Sequence, residues 1–414
     1  MQNHPLRNQI TQEVHARPFQ RFKSNLGLVH IAAFYGAGGE QELSDALSQL
    51  LSKINVSMPE TVDGFFYVEN DLYGVRYEPH NEFYTLTLYQ LDSAKVEKLT
   101  GLWESLPGEL LCGVKIFFSG QQAKPNLKEF FGIHQVSGAE VMGGAAKVWT
   151  DFYPDDEMGF VTMVVHNTAL KTFQAGRLLQ RLCEIETYRH TALLAYPIAQ
   201  ALMPQLTEMD QSLSEITHEI ATNADAPELL KRLMALAADV EALSAETANR
   251  FSASQAYFAV VDSRIAELRE ERIVGLQTVQ QFMDRRLDPA KRTCIAANER
   301  LERLSRRIAR ATELIRSQVD LSIERQNQQL LEGLNDRARR QLRLQAKLES
   351  FTIIVVTYYA FDLLERSIRN TVSADILRDQ VLMVLSCSVP ITAGVYGGMS
   401  ESYYNTTDMI KHFC

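Results

Sequence analysis

Beyond Asn167 the chain changes its hydrophobic period, and that change constrains everything after it. In MPQLTEMDQSLSEITHEIA, Leu206, Met209, Leu213, Ile216 and Ile220 recur at alternating steps of three and four. The seam resumes after TNADAP through Leu229, Leu233, Leu236, Val240, Leu243, Tyr257, Val261, Ile265 and Leu268. A third stretch, after RRLDPAKR, carries it through Leu301, Leu304, Ile308, Ala311 and Ile315. Such a stripe is one edge of a long helix, and it is stable in water only when another stripe covers it. Asn223 with Pro227, and later Pro289, supply the stops and starts between the three stretches. Residues 168–348 are therefore expected to form long helices folded back on one another as an antiparallel coiled-coil stalk, or paired with other copies in a homo-oligomer.

Ahead of that boundary, between Leu26 and His166, apolar residues come in short runs rich in β-branched and aromatic types: LGLVHIAAFY, DGFFYV, LYGVRYE, EFYTLTLY, CGVKIFF, AKVWTDFY and GFVTMVVH. Runs of this length bounded by Gly, Pro, Asn and Asp read as strands. Two segments between them, GEQELSDALSQLLSKI and SAKVEKLTGLWESL, space Leu and Ala as amphipathic helices do. Residues 1–167 are thus expected to be an α+β domain built on a mixed sheet.

Charge narrows the range of partners. The 42 basic against 51 acidic side chains leave a net charge of -9, whereas a chain that neutralises phosphates presents a basic face. Nucleic acid is set aside. Arg300, Arg303, Arg306, Arg307 and Arg310, with Glu302 among them, read as the solvated face of a helix whose partner acids lie close in sequence. Five scattered cysteines, Cys112, Cys183, Cys294, Cys387 and Cys414, form no CxxC pair and fit a reducing compartment. The opening MQNHPLRNQI has no apolar core of the kind an export signal needs, so the bulk of the chain is expected to face the cytoplasm.

Residues 349–414 contain two hydrophobic stretches. FTIIVVTYYAF, from Phe351 to Phe361, is uncharged for eleven residues and then meets Asp362, Glu365 and Arg366, short of the roughly 20 residues that span a bilayer. VLMVLSCSVPITAGVYGGM, from Val381 to Met399, runs nineteen residues without a charge and includes Pro390, which a spanning helix tolerates better than a soluble one. This second stretch is expected to anchor the chain in the inner, cytoplasmic membrane. Arg366, Arg369 and Arg378 before it, against Lys411 after it, keep the larger N-terminal part on the cytoplasmic side.

Several segments together resemble one bacterial family, catalogued as domain of unknown function 3422 and described as membrane-anchored. They are HPLRNQITQEVHARPF, YEPHNEFYTLTLY, VWTDFYPDDEMGF, GRLLQRLCEIETYRHTALLAYPIA, FMDRRLDPAKRTC, the arginine-rich run from ERLERLSRR to RRQLRLQ, and the pair Tyr358 and Tyr359. The resemblance implies an α/β N-terminal domain, long helices and a C-terminal membrane anchor; it supplies no reaction. A looser architectural likeness is to the CorA magnesium channels, which join an α/β domain to very long helices and carry a Gly-Met-Asn signature. Here Gly398, Met399 and Ser400 stand in PITAGVYGGMS.

Candidate chemistry is confined to one polar set. Glu13, His15 and Arg17 crowd the segment TQEVHARPFQRF; His80 and Glu82, two apart in PHNEF, would share one side of a strand; Asp151 could join them. A His, a Glu and an Arg that converge could move a proton or hold a metal. The alternative is a terminal brace, with Arg17 paired to Glu13 or Glu82, Pro18 fixing the backbone and Phe19 buried, and that is the reading preferred here. His30, on an alternating strand, reads as a satisfied half-buried histidine. Arg177, Arg181, Glu184 and Tyr188 share one helix face, where pairing explains them more simply than a ligand does. Dinucleotide, P-loop, zinc-protease and nucleophile-elbow signatures are missing, and the glycines of FYGAGGEQE lack the Lys and Ser/Thr of a phosphate loop. No cofactor, metal or enzymatic activity is assigned. The expected role is a membrane-anchored scaffold or interaction protein, with a divalent-cation channel of the CorA kind, or an enzyme using the His/Glu/Arg cluster, as the alternatives.

Overall fold

The computed structural model describes residues 3–7, 18–23, 25–59, 64–93, 95–96, 98–99, 101–122, 124–156, 158–222 and 226–371, together with Met383. The chain divides into two compact units, Met1–Glu313 and Leu314–Cys414.

In the first unit, β1 (Leu26–Phe34), β2 (Phe66–Glu69), β3 (Tyr73–Pro79), β4 (Phe83–Gln90), β5 (Glu109–Ser119), β6 (Ser137–Val141), β7 (Ala146–Pro154), β8 (Val161–Asn167) and β9 (Glu271–Arg272) form one sheet in the order β2-β3-β4-β1-β5-β8-β7-β6-β9. All neighbours are antiparallel except β5 and β8, so the sheet is mixed. The first helix, α1 (Gly39–Lys53), covers one face with Leu43, Leu47, Leu50 and Leu51, packed among Val29, Ile31, Tyr84, Leu86 and Leu88. Alternation along β1 sends Val29 and Ile31 to that side and His30 and Ala32 to the other. β1 is consequently buried on both faces over its first eight residues.

The second face meets helices. After the short α2 (Leu127–Phe131) come α3 (Thr172–Leu193), α4 (Ala195–Ala221), α5 (Ala226–Leu268), α6 (Val279–Arg286) and α7 (Asp288–Thr371). At the expected break in TNADAP α4 ends at Ala221 and α5 begins at Ala226, and the one near Pro289 falls between α6 and α7. Seam residues Leu206, Leu213, Ile216 and Ile220 of α4, Leu229, Leu233, Val240, Val261 and Leu268 of α5, and Leu301, Leu304, Ile308 and Ala311 of α7 are buried. The architecture is α+β, with a mixed N-terminal sheet and a long helical region.

Three local expectations need correction. Among the described residues of 93–106 turns stand where a helix was expected, because Gly101 takes φ +84 and Pro107 follows, which ends any helical run. β6 and β9 were not foreseen: a two-residue strand has no period to read, and β9 joins the sheet where α5 has just stopped. The half-buried carboxylate of Glu270 holds that turn by accepting the N–H groups of Val279 and Gln280 at 3.0 and 2.9 Å, beside a capping box between Thr278 and Gln281. Nor do the α7 arginines all pair locally. Arg306 reaches Glu302, but Arg300 and Arg307 both bind Asp210 of α4, at 2.9 and 2.6 Å.

Residues 18–23 cross α3 at Gly176. Phe22 is buried against Tyr89 and donates its N–H to the Thr172 carbonyl, while Phe19, expected to be buried, is half-exposed beneath Arg177. A Cβ on Gly176 would lie 1.9 Å from the Gln20 carbonyl oxygen.

In the second unit, α7 continues from residue 314 to 371, about 87 Å at 1.5 Å per residue. Leu321, Ile323, Leu330, Leu334, Leu344, Leu348 and Phe351 are all exposed. Among the described residues no helix is long and apolar enough to cross a membrane. The stretch 351–361 is helical and interrupted as its sequence implies; residues 381–399 lie outside the described residues apart from Met383.

A helix-interior Gly→Ala change ordinarily stabilises by roughly 1 kcal/mol. Gly176→Ala should do the reverse, lowering stability by about 1–3 kcal/mol and exposing residues 18–23 to protease, because the carbonyl of Gln20 has to move. Thermal unfolding with limited proteolysis checks this, and an unchanged or raised Tm refutes the packing. Gly333→Ala, where nothing lies within 4 Å of the added carbon, is the control.

Candidate functional site

The polar groups that the sequence scatters are gathered where α3 lies on the second face of the sheet. His30 of β1 is fully buried between two hydroxyls, with Nδ1 2.7 Å from Thr87 Oγ1 on β4 and Nε2 2.8 Å from Thr187 Oγ1 on α3. A neutral imidazole donates from one nitrogen and accepts at the other, which suits two hydroxyls. Burial holds the His30 pKa down to about 3, with the cation of Arg76 and then His80 adding to the effect. An imidazole so held does not exchange protons near neutrality.

Beside it Arg76, on β3 and 5% exposed, donates to Gln180 Oε1 at 2.7 Å and to Glu78 Oε2 at 3.1 Å. Gln180 passes the connection to Glu184 at 2.6 Å, and Glu184 accepts from Arg264 of α5. Arg264 and Arg181 then share Glu267, at 2.8 and 2.7 Å. Burial alone would raise the Glu267 carboxyl, but Arg264 and Arg181 hold it below the usual range. Arg181 and Glu184 on this face therefore work by pairing between α3 and α5, whereas Arg177 lies over the Phe19 ring. The cleft left over among His30, Arg76, His80, Gln180 and Tyr188 has about 30 Å3 of free space, enough for bound water and too little for a substrate. Cys183 lines it, and burial pushes that thiol upward, away from the reactive thiolate.

A larger hollow of about 210 Å3 lies between α5 and the start of α7, lined by Phe251, Phe258, Ile295, Glu299 and Glu302 among others. Its Cys294 thiol is raised to about 11 by burial, so it too stays protonated.

The polar set read from the sequence is distributed differently. Glu13, His15 and Arg17 lie outside the described residues. His80 and Glu82 sit in the turn between β3 and β4, not on a strand, since β3 ends at Pro79 and β4 begins at Phe83. The His80 ring stacks on Phe83 at 4.4 Å, and Glu82 receives both terminal nitrogens of Arg250 at 2.9 and 3.2 Å. Asp151 is buried on β7, four strand spacings from β4 or about 19 Å, where it binds His134 Nδ1 at 2.8 Å. Asp151 and the His80–Glu82 turn therefore do not converge. Arg76 and Thr187 went unnoticed in the sequence; the one available signal was an arginine set two before a glutamate inside an apolar strand. Among the described residues no group of three or more His, Cys, Asp or Glu is placed to hold a metal ion.

The profile of the family described as "Protein of unknown function (DUF3422)" matches residues 2–403. The chain belongs to this family. No curated protein matches it.

Folding keeps His30 neutral, so the unfolded chain takes up the proton first as pH falls below the ordinary value of 6.5. Its contribution is complete above that value and is lost progressively toward pH 3, by at most about 1.4 kcal/mol per pH unit. His30→Gln should flatten the slope of stability against pH between 6.5 and 4 relative to the parent. Parallel denaturation curves over that range would show that the imidazole is not held neutral.

Proposed function

We propose that this chain is a membrane-associated scaffold or interaction protein. The unit Met1–Glu313 presents binding surface, copies associate along α7 through coiled-coil pairing, and residues 381–399 hold the C-terminal end at the inner membrane with the bulk facing the cytoplasm. One observation carries this reading: the exposed apolar row of the second unit. Its N-terminal part, Ile323, Leu330 and Leu334, falls at heptad positions, each residue exposed by half or more. A row of this kind on an isolated helix in water marks a contact surface. In the first unit, by contrast, the equivalent seams are covered and the polar cleft is closed by its own ion pairs, which favours a binding or spacing role over turnover.

Expressed full-length chain should sediment with membranes and resist salt extraction, and deletion of residues 381–414 should move most of it to the supernatant. Recovery of the intact chain in the soluble fraction as a monomer would defeat the proposal. Ile323→Glu with Leu330→Glu should lower the oligomer mass measured by analytical ultracentrifugation in detergent, without unfolding the first unit.

A further inference from the structure

Along the second unit the charge on α7 is sorted. Residues 320–336 carry Asp320, Glu324, Glu332 and Asp336 against the single cation Arg325. Residues 337–347 carry Arg337, Arg339, Arg340, Arg343 and Lys347 with no acid at all. None of these five cations has an ion-pair or hydrogen-bond partner among the described residues, whereas Arg306 and Arg366 on the same helix each have one. At 3.6 residues per turn Arg339, Arg340, Arg343 and Lys347 fall within an arc of roughly 100°, and Leu344, Leu348 and Phe351 fill the arc beside it. The next three turns, residues 351–361, are apolar on every side and exposed or half-exposed, yet at about 17 Å they are too short to cross a hydrocarbon core.

Resting on the membrane association proposed above, we infer that residues 337–361 of α7 dock directly on an anionic lipid surface. The four clustered cations meet headgroup phosphates, and the leucine stripe with the uncharged turns enters the interfacial layer. Charge complementarity selects this occupant. A row of unpaired cations gains about as much per charge from an anionic leaflet as such segments ordinarily do, and the flanking apolar arc supplies area that water alone leaves uncovered. The acids of residues 320–336, one step further from the docked end, are repelled by the same surface, so the sorted charge also orients the helix. Five cations on the N-terminal side of the apolar turns agree with a cytoplasmic leaflet.

The test floats purified full-length chain with vesicles of phosphatidylcholine alone, or of equal parts phosphatidylcholine and phosphatidylglycerol. The parent should favour the anionic vesicles by roughly tenfold or more at low salt, a preference that fades as salt rises. Combined Arg339→Gln, Arg340→Gln, Arg343→Gln and Lys347→Gln should abolish the preference, and the arginine-to-lysine version of the same set should keep it, since the attraction is Coulombic. Arg340, Arg343 and Lys347 are exposed and Arg339 is half-exposed, and none of the four is ion-paired among the described residues, so helix content should be unchanged. A parent without preference, or a glutamine variant that retains it, overturns the inference. So does a glutamine variant that loses its oligomer while keeping its lipid preference, because the basic arc would then be a contact between copies. Binding to the neutral vesicles reads the 381–399 anchor separately: lost with the anionic preference intact, it removes the anchor and spares the basic arc, and the opposite result does the reverse.

Discussion

A strand covered on both faces governs the first unit. Because α1 takes the Val29 and Ile31 side of β1 and α3 takes the His30 side, β1 has no wet face, and every polar group on it needs a partner inside the protein. His30 finds hydroxyls on a neighbouring strand and on the helix above. Arg76, two strands away, finds an amide and a carboxylate. These demands fix the height and rotation of α3 over the sheet more narrowly than apolar packing would, since a hydrogen bond tolerates less displacement than a methyl contact does.

From α3 the constraint spreads. Glu184 and Arg181 tie it to Arg264 and Glu267 of α5, and Asp210 of α4 ties the start of α7 through Arg300 and Arg307. Gly176 is part of the same scheme: only a residue without a side chain lets the Gln20 backbone cross α3 so closely. The consequence for function is that the polar cleft is already satisfied from within. Arg76 and Glu184 are paired, the His30 imidazole is neutral and the Cys183 thiol is protonated, so these groups act as joints between layers.

The second unit obeys the opposite rule. There, beyond residue 320, the leucines and most cations of α7 stand exposed, and acid, base and uncharged turns are sorted along one helix. The first unit covers its helical seams, and α7 beyond residue 320 carries the longest exposed apolar row, which is where association and lipid contact are proposed.

The sequence by itself determined the two regimes of periodicity, seven of the nine strands among the described residues, the long helices, the helix end at Ala221 and the break near residue 289, because these depend on local spacing and on Pro, Gly and Asn. It also carried the charge sorting of α7, which is linear information. Only the tertiary structure decided which polar residues meet. His30 lies 157 residues from Thr187, Arg76 lies 104 from Gln180, and Asp210 lies 90 and 97 from its two arginines, and no local pattern encodes such pairings. It also put His80 and Glu82 in a turn and Asp151 on a distant strand, because strand order, which follows from how the whole sheet closes its hydrogen bonds, sets those distances.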